Sequence, residues 1–197
     1  AEDGDFYTHP GIDLWGIARA FAVNLQAGRV KQGGSTITQQ VAKAFFLTPE
    51  RTYTRKLREL ILARNLEQRL SKDEILALYV NQIYLGHGSY GLEEAARTYF
   101  AKSARDLSLA EAALIAGLIR APERLSPFRD PDAALRRRAF VLEQRARRAF
   151  VTAAAAAAGA AEPLRVASER DPARGLGRWY VGACERELHA RLGRERV

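Results

Sequence analysis

The sequence predicts a mainly α-helical protein. Apolar residues recur at helical spacing, as in Leu57, Leu60, Ala63, Leu66 and Leu70. The Ser-x-x-Glu pattern, which typically opens a helix, occurs at Ser71 and again at Ser108. The alternation typical of strands is scarce. With 197 residues, the chain is long enough to bury the core of one domain.

Capping residues and helix stops define the order of the predicted elements. Asp13 marks the start of the first helix and Gly28 its end. Ser35 or Thr36 caps the second, which ends near Pro49. The remaining helices are expected from Thr52 or Thr54 to about residue 70, and then over about 72–84, 92–100, 109–119, 131–150 and 180–192.

Charge and composition narrow the classes of partner. The net charge is +8, which favours an anionic partner such as nucleic acid, a lipid surface or a phosphorylated substrate. The single cysteine excludes a disulfide framework. No apolar run reaches the roughly 20 residues that span a bilayer. Since the sequence contains no methionine, we expect it to be a piece of a longer protein whose membrane anchor lies outside it.

The stretch Gly33–Gln40, with sequence GGSTITQQ, combines two glycines with polar side chains. The glycines allow a sharp turn and a close approach of the backbone to a ligand. The free N–H groups of the following helix start can bind an anion, and Lys43 lies one turn further on. The motif lacks the Gly-Lys-Ser/Thr of a nucleotide P-loop. A solvated helix start is the alternative.

Two glutamates are candidates for acid–base chemistry. Glu2 lies in a loop followed by aromatic residues, where partial removal from water would raise the pKa of a carboxyl group. Glu59 lies on a helix with Arg55 and Lys56 on the same face, and these cations favour its ionised form. Two carboxyl groups in different environments suggest distinct roles. The alternative is a solvated loop acid and an exposed helix ion pair.

Five ordered motifs resemble those of the peptidoglycan glycosyltransferases of family 51, the polymerase module of class A penicillin-binding proteins. In chain order they are Glu2-Asp3-x-x-Phe6-x-x-His9-x-Gly11, Gly33 to Gln40, Arg55-Lys56-x-x-Glu59, Lys72-x-x-Ile75-Leu76-x-x-Tyr79-x-Asn81, and Arg120-Ala121-Pro122-x-x-x-Ser126-Pro127. The resemblance covers residues 2–127 and extends more loosely to about 150. It implies a mainly α, lysozyme-like fold with a large lobe and a small membrane-facing jaw subdomain.

The resemblance also implies a reaction. Lipid II would be polymerised into glycan strands by inverting transfer, with undecaprenyl diphosphate leaving. Glu2 matches the general base that deprotonates the acceptor hydroxyl. Glu59 matches a second essential glutamate, a metal ligand, donor-positioning group or acid. His9 and Asn81 are expected to make structural hydrogen bonds. The positions implied to bind substrate are Ser35, Thr36, Gln39, Gln40, Lys43, Arg51, Arg55, Lys56 and Arg58.

The expected cofactor is a divalent cation, Mg²⁺ or Mn²⁺, with Glu59 as its candidate ligand. The expected partners are lipid II, the growing glycan strand and the membrane surface at the extracytoplasmic face of the bacterial cytoplasmic membrane; nucleic acid is not expected. Phe45, Phe46, Leu47 and Tyr53 flank cationic residues and are candidates for contact with lipid, although the two phenylalanines could equally be core residues.

We expect a glycosyltransferase domain over 1–150 and a connector over 151–197 toward a transpeptidase domain absent from this sequence. Neither Ser-x-x-Lys nor Lys-Thr-Gly occurs. A lysozyme-like hydrolase or lytic transglycosylase acting on finished peptidoglycan is the alternative function. A basic nucleic-acid-binding module, based on the arginine-rich segment 136–148, is disfavoured because this segment carries no recognised nucleic-acid-binding motif.

Overall fold

The computed structural model describes residues 2–28, 33–48, 50 and 52–167. Within these ranges the protein is helical and contains no strand; Tyr84 and Tyr90 form an isolated bridge. The chain divides into two compact units, Ala1–Gln82 and Ile83–Val197. The mainly α class predicted from the sequence is therefore confirmed. The predicted helix over 180–192 lies outside the described residues.

The described residues of the first unit form four helices: α1 Leu14–Ala27, α2 Ile37–Phe46, α3 Tyr53–Arg69 and α4 Lys72–Gln82. Helix α2 packs against α3 and α4, and α3 contacts α4. Val41, Ala42, Ala63 and Ile75 are buried between them. Buried residues recur at i,i+4 spacing on each of these helices, as in Ile37 and Val41 on α2. These faces bring the three helices together. The N-terminus of α2 is thereby fixed beside α3.

Helix α1 has the predicted bounds. Asp13 accepts a hydrogen bond from the backbone N–H of Gly16, and Gly28 ends the helix in the left-handed conformation. Its only buried residues are Gly16 and Ala20. Its large apolar side chains are exposed, with Trp15 at 84% and Phe21 at 69%. The apolar face of α1 is therefore not part of the core of this unit.

The second unit contains α5 Leu92–Phe100, α6 Leu109–Leu118, α7 Pro131–Arg147 and α8 Ala153–Ala161, with a short 3₁₀ turn at Ala104–Asp106. Ser108 and Glu111 form the predicted capping box at the start of α6. Helix α7 packs against α6 and α8, and α6 packs against α5. Helix α8 consists of alanine and one glycine, and Thr152 caps it by accepting a hydrogen bond from the Ala155 backbone N–H. The predicted domain boundary at residue 150 stays a prediction.

Candidate active site

The start of α2 brings parts of the first two sequence motifs together. Thr36 caps the helix: its Oγ1 accepts a hydrogen bond from the Gln39 backbone N–H at 3.2 Å. The same hydroxyl donates to the Gly11 carbonyl at 2.7 Å. Gly11 has a φ of +87°, and a Cβ there would lie 2.8 Å from Cγ of Glu67. Gly11 therefore allows the N-terminal loop to pass directly against α3 and reach the cap of α2.

The anion position at this helix start is occupied by Asp3. One oxygen of its carboxylate accepts from the Ile37 backbone N–H at 3.0 Å. His9 Nε2 lies 3.0 and 3.1 Å from the two Asp3 oxygens. His9 Nδ1 accepts from the Gly11 N–H, so Nε2 carries the proton and donates to Asp3. The structural role predicted for His9 is confirmed, whereas Asn81 is exposed on α4. The expectation that this helix start is free for a ligand anion is wrong at Ile37.

Glu2 precedes Asp3 directly and lines a small cleft at the same helix start. The cleft is also lined by Gly33, Gly34, Ser35 and Thr36 of the second motif, and by Arg19 of α1. Glu2 is exposed, so its predicted partial removal from water is not found. Gly34 serves packing rather than a turn: its φ is not positive, and a Cβ would lie 3.2 Å from Cα of Ile17. Arg19 was not among the predicted site residues. The available signal was its i, i+3, i+6 spacing with Asp13 and Gly16, which also line the cleft.

A buried ionic cluster links α2 to the third motif. Glu59 is 3% exposed, and its Oε2 accepts from Arg55 Nη1 at 2.6 Å. Its Oε1 accepts from Lys56 Nζ. The Lys56 ammonium also donates to Gln39 Oε1 at 3.1 Å and to Ser35 Oγ at 3.0 Å. The predicted ion pairs on α3 are thus confirmed, but the alternative of an exposed pair is wrong.

Two donors beside this cluster have no hydrogen-bond acceptor. They are Nε2 of Gln39 and Nε of Arg55, both buried. A buried donor without an acceptor is costly, and such groups are commonly satisfied by water or by a ligand. The cluster therefore offers polar hydrogens for ligand oxygens in addition to the positive charge of Arg55 and Lys56.

Glu59 is poorly suited to binding a divalent cation. Each of its two oxygens already accepts a hydrogen bond from a cation. Among the described residues, no group of three or more His, Cys, Asp or Glu side chains could hold a metal ion. Mg²⁺ requires several oxygen ligands in octahedral geometry. The residues present therefore do not fit a metal ion bound by Glu59.

The other predicted substrate-binding residues differ in their surroundings. Lys43 on α2 and Arg58 on α3 are exposed, and neither forms an ion pair within the described ranges. Arg51 lies outside the described residues. Gln40 is half-buried, and its Oε1 accepts from the hydroxyl of Tyr79 at 3.5 Å. Burial, followed by the negative charges of Glu2 and Asp3, raises the pKa of Tyr79, which keeps this phenol protonated beside the cleft.

Lys72 of the fourth motif fixes the N-terminal loop. Its ammonium donates to the His9 carbonyl at 2.7 Å and to Glu67 at 2.8 Å, and it lies 4.6 Å from the centre of the Phe6 ring. Glu67 also accepts from Thr38 at 2.5 Å. The fifth motif lies in the second unit, where Ser126 is buried with its Oγ 3.0 Å from His87 Nε2.

Comparison with known proteins identifies the family. The family model described as Transglycosylase matches residues 1–146. The chain belongs to this family. The resemblance to the peptidoglycan glycosyltransferases is therefore confirmed at the level of the family.

Curated relatives carry the name penicillin-binding protein 1A. The protein from Neisseria flavescens is 53% identical over 152 residues, covering 77% of this chain and 19% of its own length. The protein from Pseudomonas aeruginosa is 44% identical over 196 residues, covering 99% of this chain and 24% of its own length. A crystal structure of penicillin-binding protein 1A from Haemophilus influenzae aligns with a TM-score of 0.48 and 28% identity, over 81% of this chain and 20% of that one. The chain thus spans about a fifth to a quarter of these relatives.

Proposed function

We propose that this chain is a peptidoglycan glycosyltransferase that polymerises lipid II into glycan strands. The observation that carries the proposal is the convergence of three motifs at one helix start. Glu2 and the α2 N-terminus line one cleft, and Lys56 of the third motif donates to Ser35 at the edge of that cleft. A carboxylate and a group of cations around one cleft suit the transfer of a sugar from a diphosphate.

Glu2 acts in this proposal as the general base. Its carboxylate takes the proton of the acceptor sugar's 4-hydroxyl as that oxygen attacks the anomeric carbon of the donor. The configuration at that carbon inverts, and undecaprenyl diphosphate leaves. Exposure of Glu2 at the cleft suits a base that must meet an incoming strand. Asp3, bound to Ile37 N–H and to His9, fixes the backbone next to this base.

Arg55 and Lys56 stabilise the leaving diphosphate, and Glu59 positions them. Negative charge builds on the diphosphate as the glycosidic bond breaks, so fixed cations lower the barrier more than they strengthen substrate binding. The unpartnered Nε of Arg55 and Nε2 of Gln39 supply hydrogen bonds to donor oxygens. Exposed Lys43 and Arg58, together with Arg51, add positive charge. The mechanism includes no step through a metal ion, and a requirement for Mg²⁺ or Mn²⁺ stays a prediction.

The reaction is proposed to take place at the extracytoplasmic membrane surface, where a lipid-linked donor would be available. In the described part of the chain, no helix combines the length and apolar character needed to cross a bilayer. Contact with lipid is proposed for exposed apolar side chains of the first unit. Trp15 and Phe21 on α1, Phe46 at the end of α2, and Tyr53, which is 97% exposed, are the main candidates.

A product assay tests the function directly. The full chain is incubated with purified lipid II in one reaction and with finished peptidoglycan in another. The proposal predicts long glycan strands from lipid II and no soluble fragments from finished peptidoglycan. Release of fragments without any polymerisation would instead identify a hydrolase or a lytic transglycosylase.

A further inference from the structure

A cavity of about 620 Å³ lies in the second unit, and none of its lining residues belongs to the five motifs. It is lined by the end of α5, by α6 and α7, and by the segment 162–167 that follows α8. Much of its wall is apolar and is formed by Phe100, Leu114, Pro163, Leu164 and Val166. Its volume is in the range of small-molecule sites.

A buried arginine lines this cavity. Arg138 on α7 is 3% exposed and has no carboxylate within ion-pair distance among the described residues. One of its terminal nitrogens donates to the carbonyl oxygens of Ala160 and Glu162, which holds the end of α8. Its Nε has no hydrogen-bond acceptor. Buried charges are normally paired, so Arg138 is a cation without its usual partner.

The remaining charges around the cavity do not neutralise Arg138. Glu111 accepts a hydrogen bond from Lys102 at 2.7 Å, so these two charges offset each other. Glu162 keeps its negative charge, but its carboxylate forms no ion pair with Arg138, and the cationic Arg165 forms no ion pair with described residues. Removal from water lowers the pKa of the Arg138 guanidinium despite the opposing effect of Glu162, but an arginine stays protonated at neutral pH. The cavity therefore has an apolar wall and an excess positive charge.

We propose that this cavity binds a small organic carboxylate with an apolar body. The carboxylate would lie beside Arg138 and supply the acceptor that its guanidinium lacks. The apolar part would contact the wall formed by Leu114, Leu164 and Val166. An inorganic anion would satisfy the charge but leave this wall in contact with water, so it would bind more weakly. This site is independent of the proposed glycosyl transfer.

Binding is tested with hexanoate, with its neutral analogue hexanamide and with inorganic phosphate, titrated into the full chain by isothermal calorimetry and amide NMR. Hexanoate should bind at least about tenfold more tightly than either comparison compound, since only hexanoate offers both a charged acceptor and an apolar body. Amide shifts should concentrate at Ala101, Lys102 and residues 164–167. Equal binding of the three compounds, or shifts elsewhere, would contradict the proposal.

Variants link binding to Arg138. Arg138→Gln should weaken hexanoate binding about tenfold or more, whereas Arg136→Gln, an exposed arginine on the same helix, should leave it within about twofold. Since Arg138 also holds α8, Ala167→Trp provides a second test that keeps the guanidinium and fills the cavity from its edge. Loss of hexanoate binding in a folded Ala167→Trp protein supports the site. Unchanged affinity in this variant would overturn it.

Discussion

Replacing Glu59 by glutamine should destabilise α3 by about 2–4 kcal/mol. Removing one partner of a fully buried ion pair costs about 3–5 kcal/mol, and an exposed pair is worth about 0–1 kcal/mol. The Arg55 side chain is 16% exposed, so its ion pair with Glu59 should contribute nearly as much as a fully buried pair. The Lys56 side chain is 39% exposed and keeps Gln39 and Ser35 as acceptors, so the loss of its ion pair with Glu59 should cost little more than the loss of an exposed pair. The estimate falls between the two limits.

Native-state hydrogen exchange of the α3 amides measures this loss locally. Glu143→Gln is the matched control, because Glu143 forms an i,i+4 pair with Arg147 whose side chains are 53% and 67% exposed. Removal of this pair should change the free energy of opening, measured by exchange of the α7 amides, by less than about 1 kcal/mol. Combining Arg55→Met with Glu59→Gln should cost less than the sum of the single changes, because no buried cation is then left unpaired at Arg55. Equal losses for Glu59 and Glu143, or strict additivity, would refute the reasoning.

Three further predictions concern the same unit. Asp3→Ala should lower the free energy of unfolding by about 1–3 kcal/mol and slow polymerisation, because the Ile37 N–H and the His9 ring lose their acceptor. Urea unfolding measures the first effect and a turnover assay measures the second. Wild-type values in both measurements would contradict the role of Asp3 in fixing the N-terminal loop. Phe46→Ser combined with Leu47→Ser should reduce sedimentation with liposomes; binding equal to wild type would count against lipid contact there. The pKa of Tyr79 is raised in the folded state, so its contribution to stability is complete below the unfolded pKa of about 10 and is lost as the pH rises above it. Tyr79→Phe should therefore weaken the pH dependence of the free energy of unfolding, measured in urea, above that pH. An unchanged pH dependence would rule this out.

Local chemistry explains which elements could be predicted from the sequence. The bounds of α1 follow from Asp13 and Gly28, and the ion pairs of Glu59 follow from the i,i+3 and i,i+4 spacing on α3. Each of these signals acts within a few residues, so tertiary packing did not override it. Capping by Thr36 was predictable for the same reason.

Contacts between distant segments could not be predicted in this way. Asp3 occupies the N-terminus of α2 across 34 residues, and no local pattern indicates which anion will reach that position. Glu59 is buried, and Lys56 donates to Gln39 on another helix; both depend on how α2 packs against α3. Likewise, the caps predict where α1 begins and ends but not what its large apolar side chains contact, and these side chains are exposed. Arg138, which has no ion pair among the described residues, lies on a helix whose other arginines are mostly exposed, so its burial becomes visible only in the fold.

The central claim is that Glu2 is the base for glycan polymerisation at the start of α2, and the turnover of lipid II by Glu2→Gln tests it most directly. General-base catalysis typically contributes about 10²–10⁴ in rate. We predict a loss of kcat of at least about a hundredfold with an unchanged circular dichroism spectrum, whereas Glu50→Gln, which changes an exposed loop glutamate, keeps near-normal turnover. Turnover by Glu2→Gln equal to that of the Glu50 control would contradict the account.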